Sequence, residues 1–199
     1  MKPTLYIFAK APVAGQVKTR LARSIGDAAA CAVYEELLAG VIDRLSGAPG
    51  WRLVLAVTPD AAAETDAPWP RVTPRVPQGD GDLGARMHRA LSRARPGAPV
   101  VIVGSDIPDL TAGHVAQAFT ALAEHDLVLG PALDGGYWLI GGAVPPPPDL
   151  FAAVRWSSPF ALADTLANTR GLRVAVLDAR LEDVDEADSH ARYRARAQP

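Results

Sequence analysis

The chain has 199 residues, 49% of them apolar and 21% charged, with a formal charge of −2. That composition excludes disorder throughout and suits one domain, expected to span residues 1–199; the near-neutral charge argues against a nucleic-acid coat or a polybasic membrane binder. One cysteine allows no internal disulfide and no Cys-rich zinc site, and neither a signal peptide nor a membrane-length apolar run is visible, so the expected address is cytoplasmic.

Thr4 to Ala9 reads as a buried first strand. Residues 27 to 46 carry a helical stripe of Cys31, Tyr34, Leu38, Val41, Ile42 and Leu45, on which Cys31 is a core thiol. Arg52 to Thr58 is a second strand. Residues 60 to 71 read as a short helix or loop, and Val72 to Val76 as a short strand weakened by Pro74. Leu83 to Ala94 has helical spacing. Pro99 to Gly104, nearly pure valine and isoleucine, reads as a central parallel strand. Thr111 is a plausible N-cap for a helix to Glu124. Strands follow at Leu127 to Leu129 and Tyr137 to Ile140. Pro145 to Pro148 is a stiff connector, Pro159 to Asn168 a helix, Leu172 to Leu177 a strand, and Glu186 to Ala197 a polar final helix. Strands alternating with helices imply an α/β fold with helices on both faces of a sheet. Ligands of such sheets bind outside the carboxyl ends of the strands, so the segments after each strand carry the functional reading.

After strand one comes Lys10-Ala-Pro-Val-Ala-Gly15-Gln-Val-Lys18-Thr-Arg20. Met1 to Gly26 holds five basic residues and no acidic one. A glycine-containing loop with Lys and Arg, opening into a helix, suits a phosphate, although Pro12 and Val17 stand where a P-loop needs glycine. Gly79-Asp80-Gly81-Asp82-Leu83-Gly84 has the outline of a dinucleotide fingerprint. Against it, Asp80 and Asp82 would face a pyrophosphate, and the first βα turn is already the basic loop; a tight turn with Asp82 near a helix N-terminus is the plainer reading. Asp106, at the tip of the central strand, can hold Mg²⁺ or Mn²⁺ against a diphosphate. Asp134-Gly135-Gly136-Tyr137-Trp138 offers close backbone approach and a carboxylate for a sugar hydroxyl, a metal or an attacking group, or else is a plain hairpin turn. Tyr137 and Trp138 could stack on a base or sugar. A second carboxylate for the metal could come from Glu182-Asp183-Val184-Asp185-Glu186, or this run is an acid-rich helix start. His88, His114, His125 and His190 show no metal spacing.

Four blocks in order, Phe8 to Leu21, Gly81 to Met87, Gly104 to Leu110 and Leu133 to Gly141, resemble the rSAM/selenodomain-associated transferase 1 family, a glycosyltransferase-like group of the nucleotide-diphospho-sugar transferase superfamily. The resemblance runs from about residue 4 to 188. It implies a GT-A fold, a Rossmann-like three-layer α/β/α sandwich with a mostly parallel sheet. Lys18-Thr-Arg-Leu, Ser105-Asp-Ile-Pro and Asp183-Val-Asp185 are more distantly similar to 2-phospho-lactate and molybdenum-cofactor guanylyltransferases, whose first loop is richer in glycine. The resemblance implies a metal on Asp106; the second ligand is open among Asp134, Asp183 and Asp185, of which Asp185 is the one expected from the residues. The resemblance also implies that the first loop, Lys10 to Arg20, holds the nucleotide phosphates; the full expected site has Asp106 and Asp134 as catalytic residues and donor or acceptor contacts from Lys10, Gly15, Lys18, Arg20, Asp82, Arg86, Gly135, Gly136 and Tyr137. The expected activity is metal-dependent glycosyl transfer from a nucleotide diphosphosugar to a small-molecule acceptor, with Mg²⁺ or Mn²⁺ as cofactor. The alternatives are nucleotidyl transfer to a phosphorylated small molecule, or nucleotide binding without catalysis.

Overall fold

The computed structural model describes residues 2–48, 50–65, 69 and 74–197. Its centre is a seven-stranded sheet in the order β3-β2-β1-β4-β6-β5-β7. The strands are β1 (Thr4–Lys10), β2 (Arg52–Thr58), β3 (Arg75–Pro77), β4 (Val100–Gly104), β5 (Leu127–Pro131), β6 (Tyr137–Gly142) and β7 (Val174–Val176). Most neighbours are parallel. β6 runs antiparallel to both β4 and β5, between which it is inserted. The expected α/β architecture with a mostly parallel sheet is therefore present.

Side chains alternate across the sheet, and both faces are buried. Along β1, Leu5 and Ile7 enter the core with Tyr34, Leu38, Val41 and Ile42 of α2 (Asp27–Leu45), whereas Tyr6 enters the opposite core with Met87 and Leu91 of α3 (Leu83–Leu91). The first core also takes Val115 and Ala118 from α4 (Ala112–Ala121). Cys31 is a buried free thiol, as expected. Thr111 caps α4 by accepting from the His114 N–H, and the His114 ring returns the bond, so that histidine is spent on a capping box.

Several boundaries move for local reasons. A short α1 (Thr19–Ile25) precedes α2, separated by Gly26 at φ 85°. The third strand is Arg75–Pro77 at the sheet edge; the expected start, residues 72 and 73, lies outside the described residues. Helix α3 stops at Leu91. Helix α5 (Ala161–Ala167) and α6 (Ala187–Ala197) occupy the expected places. The C-terminal helix is tied down by the Tyr193 hydroxyl donating to Glu36 at 2.6 Å, and by ion pairs from Arg194 to Glu36 and from Arg192 to Glu182. Those ties hold in place the acid-rich segment just before it. No helix among the described residues is long and apolar enough to cross a membrane.

Candidate active site

Three strand tips and the C-terminal segment meet at one point on the carboxyl edge of the sheet. Asp106 follows β4. Val184 is buried and donates its N–H to the Asp106 carbonyl at 3.1 Å, so Asp183 and Asp185 flank it on either side. One carboxylate oxygen from each of Asp106, Asp183 and Asp185 lies within 4.8 Å of the others. This resolves the acid-rich run: Asp183 and Asp185 reach the site, and the helix begins beyond them.

Into this cluster projects Lys18. Its ammonium lies 2.5 Å from Asp106 and 3.2 Å from Asp185, and the residue is only 8% exposed. Burial opposes its charge, but Asp106 and Asp185 outweigh that and hold the ammonium above its ordinary pKa. Lys18 also takes a left-handed backbone at φ 49°, which a non-glycine residue adopts at a cost of about 1 kcal/mol and keeps only when its surroundings insist. Asp183 has no such partner. Burial, then Asp106, push its carboxyl up to about 6, with Lys18 pulling the other way and Asp134 and Asp185 adding to the rise.

The remaining expected residues divide. Lys10, at the end of β1, is exposed, and its backbone is clamped by Tyr34: the Lys10 N–H donates to the phenol oxygen at 2.9 Å and the phenol donates back to the Lys10 carbonyl at 3.0 Å. Ser105 Oγ lies 3.2 Å from the same phenol oxygen, so Tyr34 fastens the tip of β1 to the tip of β4. Arg20 is paired with Asp185 at 3.2 Å. Arg86 bonds the Gly81 carbonyl at 2.9 Å and faces the cleft beside Thr58. Gly15, at φ 77°, turns the exposed basic loop, and a Cβ there would meet only Asp27. Asp82 caps α3, accepting from the Ala85 N–H at 2.8 Å. The Gly79–Gly84 loop is filled by Arg89, which donates to the Gln78 and Asp80 carbonyls, so the space a pyrophosphate would need is already taken. Gly135, at φ 86°, is required by packing: a Cβ would lie 2.3 Å from the Pro159 carbonyl oxygen. Asp134 accepts from the Gly136 N–H at 2.9 Å, as a tight turn does, yet it also lines the cleft with Gly136 and Tyr137. The Trp138 indole donates to the Ala179 carbonyl in the core.

The cleft has two hollows that share Phe8, Leu83 and Asp106. One, of about 320 Å³, lies over the tips of β1 and β2 and is lined by Lys10, Lys18, Gln78, Arg86 and Asp185. The other, of about 220 Å³, lies over the tips of β4 and β6 and is lined by Met87, Asp134, Tyr137, Trp156 and Asp183. Sequence reasoning missed Tyr34, Gln78, Met87 and Trp156. Gln78 is 6% exposed, with its amide nitrogen donating to the Ala9 and Ala56 carbonyls, so it looked like any polar residue after a strand. Trp156, outside any regular element and next to two serines, was the more readable signal.

The comparisons agree with this architecture. A family profile, "Uncharacterized protein conserved in bacteria (DUF2064)", matches residues 41–158. A 3-phospho-D-glycerate guanylyltransferase from Phenylobacterium zucineum (strain HLK1) is 37% identical over 131 residues, covering 62% of this chain and 59% of that protein; the match thus spans about three fifths of the relative's length. A crystal structure of a candidate nucleotide-diphospho-sugar transferase from Desulfovibrio desulfuricans G20 superposes with a TM-score of 0.83 at 30% identity, over 100% of this chain and 89% of that one. At 18% identity, the manganese complex of Rv0371c from Mycobacterium tuberculosis H37Rv shares the fold with a TM-score of 0.57, over 96% of this chain and 97% of that one. With its seven-stranded sheet and its cleft at the strand tips, the chain has a nucleotide-diphospho-sugar transferase-like fold, and it belongs to the DUF2064 family.

Proposed function

We propose that this protein is a divalent-cation-dependent transferase that takes a nucleotide-activated donor, and that it moves a glycosyl group from a nucleotide diphosphosugar to a small acceptor. The observation that carries the proposal is the meeting of three carboxylates and a buried lysine where the two hollows join. Asp106, Asp183 and Asp185 suit a hard cation: each is partly exposed, and together they offer converging carboxylate oxygens. Manganese in the complex of a fold relative agrees with that chemistry. When bound, such a cation supplies charge neutralisation at the diphosphate as the bond to it breaks.

The chain's own groups do the rest. Lys10, Lys18 and Arg86 line the hollow over β1 and β2 and meet the phosphates there; Arg20 acts through Asp185, its ion-pair partner on that wall. Gln78 has already spent its amide nitrogen on backbone, so its carbonyl oxygen is the part left to read a base. Asp134 stands across Asp106 in the second hollow, where it can accept from a hydroxyl of the transferred group or of the acceptor. Kinship with the rSAM/selenodomain-associated transferase 1 family is part of this proposal.

Nucleotidyl transfer is the second reading, favoured by the guanylyltransferase relative. There the same cations would face a triphosphate, pyrophosphate would leave, and the acceptor would fill the second hollow. Thermal-shift titrations with nucleoside di- and triphosphates and nucleotide sugars, with and without Mg²⁺ or Mn²⁺, separate the two. Stabilisation by a nucleotide sugar but no triphosphate supports glycosyl transfer; the reverse supports nucleotidyl transfer; no metal-dependent stabilisation by any of them refutes both.

A further inference from the structure

The hollow between Asp106 and Trp156 is apolar in most of its wall, and every charged group that reaches it is negative. Phe8, Leu83, Met87, Tyr137 and Trp156 are among the apolar residues of the wall; Asp106, Asp134 and Asp183 are the charged part, and Ser157 and Ser158 also line it. Among the described residues no lysine, arginine or histidine lines it. The nearby cations are committed elsewhere. Lys18 is bound to Asp106 and Asp185, and Arg155, next in sequence to Trp156, donates to both Asp164 carboxylate oxygens from Nε and Nη2 at 2.9 and 2.8 Å.

The aromatic wall is fixed before any ligand arrives. Tyr137 meets the Trp156 ring edge-on at 6.5 Å, and Phe151 packs on it at 5.9 Å. Arg155 lies 4.0 Å over the Phe160 ring. Pro159 presses on Gly135, and the Leu162 N–H donates to the Gly135 carbonyl at 3.1 Å, so the segment bearing Trp156 and the turn bearing Asp134 move as one piece.

Given the nucleotide-donor reading above, on which this rests, we infer that this hollow selects an uncharged, hydroxyl-bearing ring, seated against Trp156 with its hydroxyls donating to Asp134, and rejects the same ring carrying a carboxylate. Sugars present apolar C–H faces and a rim of hydroxyls, which suits an indole beside a carboxylate. A carboxylate would lose its water against Met87 and Trp156 and find no counter-charge, with three carboxylates already present. A cation held by Asp106, Asp183 and Asp185 would not change this, because the charge of those acids and of the diphosphate would offset it.

Isothermal titration in Mn²⁺ with matched ligands tests the idea: UDP, UDP-glucose and UDP-glucuronate, and GDP, GDP-mannose and GDP-mannuronate. In whichever series binds, the neutral sugar nucleotide should bind about tenfold tighter than its uronate. Trp156→Ala should bring the neutral sugar nucleotide down to the affinity of the plain diphosphate and leave the diphosphate unchanged. Leu83 is 45% exposed on the shared rim, so Leu83→Arg can add a cation without disturbing the core, and it should close the gap between uronate and neutral ligand. Uronates binding as tightly as their neutral partners to the unaltered protein would overturn the selectivity while leaving the nucleotide reading intact. So would a Trp156→Ala loss shared equally by the diphosphate. Failure of UDP, GDP, ADP, CDP and dTDP alike to bind in Mn²⁺ would overturn the nucleotide reading, and this inference with it.

Discussion

Replacing Asp183 with asparagine should stabilise the metal-free protein at neutral pH. The carboxyl is pushed from 3.8 to about 6, first by burial and then by Asp106. The sign follows from the two states. Below 3.8 the group is neutral folded and unfolded alike. Between 3.8 and about 6 only the unfolded chain ionises it, so stability falls as pH rises. Above about 6 the folded state carries the whole cost. Two pKa units correspond to about 3 kcal/mol, which partial exposure reduces to roughly 1–2 kcal/mol. Asp183→Asn keeps the shape and removes the charge. Urea unfolding in the presence of a chelator should therefore show a gain of about 1–2 kcal/mol at pH 7.5 and almost none at pH 4. With Mn²⁺ added the order should reverse, because the variant has lost a ligand. Equal stability of the two proteins at pH 7.5 without metal, or a gain of the same size at pH 4, would refute the account of Asp183 as an uncompensated acid in the cluster.

Three further outcomes follow from the geometry. Asp106→Asn should remove most of the increase in nucleotide affinity that Mn²⁺ brings; calorimetry showing the same increase in both proteins would remove Asp106 from the cation site. Lys18→Met should act in opposite directions on two ligands, tightening Mn²⁺ alone by about tenfold, since a competing ammonium is gone, and weakening nucleoside diphosphates far more than nucleosides. Weaker Mn²⁺ binding would show that Lys18 organises the acids instead of competing for them. Gly135→Ala combines a φ of 86° with a Cβ that would lie 2.3 Å from the Pro159 oxygen; it should cost at least about 2 kcal/mol in unfolding experiments and displace Trp156, and an unchanged melting temperature would discredit the coupling of that turn to the 156–160 segment.

The sheet was readable because its strands are short, buried, valine-rich runs separated by polar loops, the pattern a sheet covered on both faces imposes. What the pattern leaves out is the order. Nothing in Tyr137 to Ile140 announces that this strand runs antiparallel and slips between β4 and β5, yet that insertion is what carries Asp134 to within reach of the Asp106 cleft. Asp106 and Lys18 were legible as residues beside strand tips. Their direct ion pair was not, because 88 positions separate them and both signals pointed to a phosphate rather than to each other. Asp82 and Gly135 matched the expected motif, but local structure accounts for them, one as a helix cap and the other as a seat for Pro159. Asp183-Val184-Asp185 held the information in its alternation: an apolar residue between two acids is what a segment shows when its middle is buried and its flanks face one cleft.

The charge count at the junction links these observations. Three carboxylates and one ammonium leave an excess of two negative charges in a partly buried space, with Arg20 offsetting one acid only at the exposed edge. An uncompensated pair of charges there would be costly to keep without a use. On the proposed reading one divalent cation would balance that excess, which a monovalent ion would not. The same count explains the strained backbone of Lys18. A lysine on a relaxed loop would leave Asp106, Asp183 and Asp185 to repel one another in the metal-free state, whereas the left-handed turn at φ 49° delivers the ammonium between Asp106 and Asp185 at a local cost of about 1 kcal/mol. If the proposed cation were held by those acids, the Lys18 ammonium would be released into the hollow it shares with Lys10 and Arg86, where the proposed function places the diphosphate.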